Sequence, residues 1–257
     1  MFPVLCDLDG VVWLAHQPIP GSADAVSRLR AAGHRVLFVT NNSSARVADQ
    51  EAALSRVGIT ATGDVLTSAM AAACLLEPGE RALVCGSIGI VEALERRGVQ
   101  VVHDGHVDAV VVGWHRDFDY DGLRRAATAV MRGARLIGTN DDPTYPTPDG
   151  PIPGGGSILA AVSTAAGTAA TVAGKPHTAM AELVRAEVGE AASREAVMVG
   201  DRPSTDGRFA RLLGCRYAHV HSGVTPRGST FEPVADIEAA DLAGVADVII
   251  GLAHGRE

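Results

Sequence analysis

Near its start the chain reads VLCDLDGVVW (residues 4–13), an apolar run broken by two carboxylates one residue apart, Asp7 and Asp9. Two anions about 4 Å apart repel by roughly 4 kcal/mol at an effective dielectric near 20, so the pair demands a cation, a shared proton or both. Three later stretches supply groups that could share a site with it. VLFVTNNSS (36–44) ends in Thr40, Asn41, Asn42, Ser43 and Ser44, ahead of a helix expected from near Ala45. Hydroxyls, amides and backbone N–H groups at a helix start cradle anions. TVAGKPH (171–177) offers Lys175, and VMVGDRPSTD (197–206) offers Asp201 and Asp206. Carboxylates and other hard oxygens suit Mg2+, which completes its shell with waters and phosphate oxygens.

These groups need a scaffold that carries them to one place. Apolar runs at 4–6, 35–39, 82–85, 109–112, 135–138, 170–172, 196–199 and 247–250 read as strands. Several are nearly continuous in Val, Ile and Leu, as in parallel strands buried on both faces. Amphipathic helices alternate with them: Leu123, Ala126, Ala127, Val130 and Met131 recur at helical spacing, as do Met180, Leu183, Val184 and Val188. Gly33, Gly58, Gly98 and Gly189 stand where such helices should end. The alternation predicts an α/β fold with a mostly parallel sheet. Ligands of such sheets sit outside the carboxyl ends of the strands. Asp7 closes the first strand, and Asp9, two residues on, can face the same crevice. One interval differs: TNDDPTYPTPDGPIPGGG (139–156) is crowded with Pro, Gly, Asp and Thr and predicts a long structured loop, a usual place for function.

The four stretches, in this order, resemble the haloacid dehalogenase superfamily: DLDGV its first motif, TNN its second, GKP its third and GDRPSTD its fourth. The segment DGLRRAATAVMRGARLIGTNDDPTYPTPDGPIPGGGSILAAV is similar to the cap of the p-nitrophenylphosphatase or NagD-like branch, subfamily IIA. The resemblance implies a Rossmannoid core at 1–79 and 173–257, with an α/β cap inserted at 80–172. It also implies a Mg2+-dependent phosphatase working through an aspartyl phosphate. On that reading Asp7 is the nucleophile and Asp9 the general acid and base. Mg2+ is held by Asp7, the Asp9 carbonyl and Asp201. Thr40, Asn41 and Asn42 hold the phosphoryl group, Lys175 neutralises it together with the nucleophile, and Asp206 orients the lysine or a metal-bound water. The loop around DDPTYP helps choose the substrate, with Asp142 and Tyr145 as candidates. The chain departs from the branch at the fourth motif, where Pro203, Ser204 and Gly207 replace a leucine, an acid and an isoleucine.

Other readings are weaker. Gly10 comes too early for an EF-hand calcium loop. GTAATVAGK (167–175) lacks the P-loop spacing and has Pro176 in place of Ser or Thr. GSIG (86–89) lacks dinucleotide spacing and reads as a tight turn. The histidine pairs His103/His106 and His219/His221 have no zinc-spaced partners. His177 follows the third motif and is a substrate-contact candidate, while Trp13 and Trp114 read as packing residues, Trp13 beside the crevice. A bulky cap leaves room for a small phosphorylated metabolite such as a sugar, glycerol, glycolate or nucleoside phosphate. The competing functions on this scaffold are a phospho-accepting regulatory module and a catalytically inactive binding protein. The balance of 22 Lys and Arg against 30 Asp and Glu argues against nucleic acid as a partner. Scattered cysteines, no basic-apolar leader and no apolar run near 18 residues lead us to expect a cytoplasmic protein with no membrane partner. A homodimer through the cap is compatible with the sequence but not required by it.

Overall fold

Six strands form one parallel sheet in the order Ile237–Ala239, Arg216–Val220, Val197–Gly200, Val4–Cys6, Val36–Thr40, Val65–Thr67. The computed structural model describes residues 1–14, 17–145, 147, 150–225 and 228–254. Alternate residues of a strand face opposite sides. Val4, Cys6, Val36, Phe38, Val197 and Val199 enter one apolar cluster, while Leu5, Leu37, Val39 and Met198 enter another. A sheet buried on both faces needs apolar residues at every position, which explains the unbroken apolar runs. The register then sets the site. Cys6 lies beside both Val199 and Phe38, so the chain leaves all three strands along one edge, through Asp7, Gly200–Asp201 and Val39–Thr40.

A second parallel sheet has the order Thr171–Val172, Arg135–Gly138, Ala109–Val112, Arg81–Cys85, Gln100–Val101. Helices Tyr120–Met131 and Gly155–Ala166 close one of its faces through Ala126, Val130, Ile158 and Val162, packed on Val110 and Val112. From the other face Ala82, Val111 and Ile137 join the same cluster as Leu5, Leu66 and Ala69 of the first unit. One apolar layer therefore runs from the first sheet into the second and fixes their arrangement.

The structure corrects one expected strand. Residues 247–250 lie inside the helix Leu242–His254. A short apolar run cannot be told from a buried helical segment by periodicity alone. Here Leu242, Val245, Ala246 and Ile249 complete a helical stripe, which packs with Ala25, Val26 and Leu29 of the helix Ser22–Ala31. Strands Val65–Thr67, Gln100–Val101, Arg216–Val220 and Ile237–Ala239 escaped the sequence reading because they are short or carry polar residues. The helix expected from Ala45 begins at Val47. Within 139–156, Thr144–Tyr145 pairs antiparallel with Ile152–Pro153; Pro146, Pro148 and Asp149 of that loop lie outside the described residues. Among the described residues no helix is long and apolar enough to cross a membrane.

Candidate active site

Beyond the Thr171–Val172 strand the chain returns to the edge of the first sheet and brings in Lys175. Its ammonium lies 2.9 Å from Asp7 Oδ1 and 2.8 Å from Asp206 Oδ1. Lys175 and Asp206 are almost wholly shut off from solvent. Burial opposes the charge on Lys175, but Asp206 and Asp7 outweigh it and hold the ammonium above the usual lysine range. The Leu8 N–H donates to the same Asp7 Oδ1 at 2.8 Å. Both donors therefore sit on one oxygen of Asp7, and among the described residues no donor is seated on Oδ2.

Asp201 follows the Val197–Gly200 strand and accepts the Val224 N–H at 2.7 Å. Burial pushes its carboxyl up to about 7, with Asp206 adding to the effect. Burial likewise raises Asp7. Gly10 stands against Asp201 at φ +89°, and a Cβ there would come within 2.5 Å of the carboxylate carbon. The glycine after Asp9 is thus required both by backbone conformation and by space. One oxygen each of Asp7, Asp201 and Asp206 lies within 4.8 Å of the others. This donor set consists of hard oxygens, with surplus negative charge in a dehydrated place, and fits a divalent cation of the Mg2+ type. Asp206 itself faces away from that role: Lys175 occupies Oδ1, and the Arg202 N–H donates to Oδ2 at 3.1 Å.

Asp9 lies deep in the same cleft. Burial pushes its carboxyl up to about 6, while the Trp13 indole, Lys175 and the Tyr145 hydroxyl pull it down. The Tyr145 hydroxyl is 3.5 Å from Asp9 Oδ1, and the Tyr145 ring stacks on Trp114 with centroids 5.6 Å apart.

The turn after Val36–Thr40 is tied by its own side chains. Thr40 Oγ1 accepts the Asn42 N–H at 3.0 Å. Asn42 Oδ1 accepts the Ser44 N–H at 2.9 Å and the Ser44 hydroxyl at 2.7 Å, an Asx turn. Asn41 connects three segments: its Oδ1 accepts the Lys175 N–H at 2.8 Å, and its Nδ2 donates to the Lys175 carbonyl at 3.0 Å and to Asp142 Oδ2 at 2.8 Å. Asp142, from the long loop, also receives Arg202 Nη1 at 3.0 Å and the Thr205 hydroxyl at 3.3 Å on Oδ1.

All ten expected site residues (Asp7, Asp9, Thr40, Asn41, Asn42, Asp142, Tyr145, Lys175, Asp201 and Asp206) line this one cleft. His177 does not: it pairs with Asp141 at 3.1 Å in a neighbouring groove. Trp13 is buried in the core, with its indole beside Asp9. Sequence reasoning missed Asn140, Arg202 and Thr205 as lining residues and took Trp114 for packing only. Arg202 and Thr205 flank Asp201 and Asp206, a signal that was available. Asn140 and Trp114 gave none. The altered fourth motif has a steric explanation at Gly207, where a Cβ would meet Pro233 at 2.9 Å and the Tyr217 ring at 3.0 Å; nothing in the structure explains Ser204.

Two family models match the chain: haloacid dehalogenase-like hydrolase over residues 4–100 and HAD-hydrolase-like over 172–247. An acid sugar phosphatase of Staphylococcus saprophyticus is 33% identical over 87% of this chain and 87% of its own length. The chain belongs to the haloacid dehalogenase-like hydrolases. Within that family it is 41% identical to a D-glycerol 3-phosphate phosphatase of Mycobacterium tuberculosis over 86% of its residues, spanning 63% of that protein's length. A solved structure of the M. tuberculosis glycerol phosphate phosphatase, in complex with magnesium, superposes with a TM-score of 0.85 at 37% identity, covering 95% of this chain and 75% of that one.

Proposed function

We propose that this chain is a magnesium-dependent phosphatase of small phosphomonoesters that works through a covalent phosphoryl group on Asp7. The observation that carries the reading is the Asp7–Lys175–Asp206 array, with Asp201 beside it, at the strand ends of the first sheet and under the loop of the second. The names of the two relatives, one acting on glycerol 3-phosphate and one called an acid sugar phosphatase, support the substrate class. The magnesium complex of the M. tuberculosis structure supports the metal.

Asp7 attacks phosphorus as the ester oxygen leaves with a proton from Asp9, which gives an acyl phosphate on Asp7. Asp9, now ionised, takes a proton from water. That water attacks the same phosphorus, releasing inorganic phosphate and restoring the Asp7 carboxylate. Lys175 and the Leu8 N–H fix Asp7 through Oδ1, so Oδ2 is the attacking oxygen. The Thr40 hydroxyl and the backbone at Asn41 hold the phosphoryl oxygens, and Asp206 orients Lys175. The Asp7 and Asp201 carboxylates and the Asp9 carbonyl would hold Mg2+, which when bound supplies positive charge against the phosphoryl oxygens and the nucleophile. A cytoplasmic setting belongs to this reading, supported by the free thiols of Cys6, Cys74, Cys85 and Cys215.

Phosphate release from p-nitrophenyl phosphate tests the function. Sustained turnover with Mg2+ that EDTA abolishes is expected. A single stoichiometric phosphorylation without turnover would favour the regulatory module, and no reaction would favour a binding protein.

A further inference from the structure

The turn from Thr40 to Ala45 belongs to the first unit, yet the second unit grips it. The helix that follows, Val47–Arg56, starts from Arg46, whose side chain has no acceptor and makes no cap. The leading N–H groups of a helix find no partner within it. Here the Val47 N–H is taken by Glu92 Oε2 at 2.9 Å, from the helix Ile88–Arg96 beside the second sheet. Arg96 holds the other oxygen of Glu92, Oε1, at 3.1 Å. The GSIG turn (86–89) leads into that helix and meets the same stretch: the Gly89 N–H donates to the Ser44 carbonyl at 3.2 Å. A Cβ on Gly89 would run into the Ala45 carbonyl and come within 2.7 Å of the Ser43 carbonyl. The two backbones touch, and space calls for glycine there. Two more bonds cross between the units. Ser43 Oγ and Thr139 Oγ1, both buried, share a hydrogen bond at 2.9 Å, and Asn140 Nδ2 donates to the Asn41 carbonyl at 2.9 Å.

We propose that Gly89 and Glu92 of the second unit are positioning residues for the phosphoryl group, holding the 40–45 turn in register with Asp7 and Lys175. The proposal rests on the reading above that this turn holds the phosphoryl oxygens. Neither residue lines the cleft, so each acts through the turn alone. Loss of the Glu92 carboxylate leaves the Val47 N–H without its acceptor and releases the far end of the turn. A binding group misplaced by about 1 Å can cost about a hundredfold. The second unit therefore sets the affinity for phosphate itself, whatever the leaving group.

With Mg2+ present, calorimetry gives the Kd of inorganic phosphate, and steady-state rates give KM and kcat for p-nitrophenyl phosphate and glycerol 3-phosphate. Glu92→Ala should weaken phosphate about tenfold and raise both KM values by a like factor, with kcat much less changed. Gly89→Ala should do the same, from a turn pushed rather than released. Glu92→Gln, whose amide oxygen still accepts the Val47 N–H, should stay within about threefold of wild type. A merely structural role would lower kcat through a smaller active fraction and leave Kd unmoved. An unmoved Kd in Glu92→Ala overturns the proposal, as does an effect confined to one ester or a Glu92→Gln as weak as Glu92→Ala. Should Glu92→Ala not fold, Gly89→Ala decides by the same Kd. Wild-type protein that binds phosphate but turns over neither ester brings down the phosphatase reading and leaves the Kd comparison in force. Wild-type protein that binds no phosphate brings down both.

Discussion

Lys175 and Asp206 form an ion pair at 2.8 Å in which the side chains are 1% and 0% exposed. Removing one partner of such a pair leaves an uncompensated buried charge, which costs far more than the pair itself contributes. Lys175→Met should therefore lose about 3–5 kcal/mol of stability in urea unfolding, together with all turnover. Adding Asp206→Asn should recover part of the stability and none of the activity. A double variant no more stable than the single one would show that Asp206 is not the buried charge left behind.

The metal-free protein should become less stable as pH rises from about 4 to 7. Asp201 is pushed to about 7 and Asp9 to about 6 from an ordinary value of 3.8. Within that window the folded state retains protons that the unfolded chain has released, so the contribution present below 3.8 is lost as pH climbs through the folded values. Asp201→Asn should flatten the fall, and Mg2+ should do so in the wild type by favouring the ionised carboxylates. Melting temperatures between pH 4 and 8, with and without Mg2+, measure this. A fall that Asp201→Asn leaves unchanged would assign it to other groups.

Gly207→Ile restores the residue usual in the resembling branch but drives a side chain into Pro233 and the Tyr217 ring. Overpacking of this kind should cost about 1–3 kcal/mol, with the accompanying shift of Asp206 lowering kcat. Unfolding midpoints and kcat together check it; a variant as stable and active as wild type would mean the Pro233 segment yields freely.

The residues next to strands were legible in the sequence for a physical reason. Asp7 and Asp201 follow, and Thr40 ends, strands buried on both faces, whose unbroken apolar runs announce where they end. The 247–250 run failed because Ile249 continues a helical stripe from Leu242, Val245 and Ala246, and a run of three apolar residues looks alike in either element. The Asp142–Arg202 pair joins positions sixty residues apart on loops of different sheets. No local pattern reports such a meeting, and neither does the Trp114–Tyr145 stack, made by a strand end and a hairpin.

The most direct test of Asp7 as nucleophile is to trap its phosphoryl group with Asp9→Asn. An aryl oxide leaves without needing a proton, so this variant should still be phosphorylated by p-nitrophenyl phosphate, whereas hydrolysis of the acyl phosphate, which needs the Asp9 base, should slow by about 10²–10⁴. The account predicts a stoichiometric burst of p-nitrophenol and, by mass spectrometry after acid quench, a phosphoryl group on the peptide bearing Asp7. A phosphoryl group on any other residue, or undiminished turnover by Asp7→Asn, would contradict it.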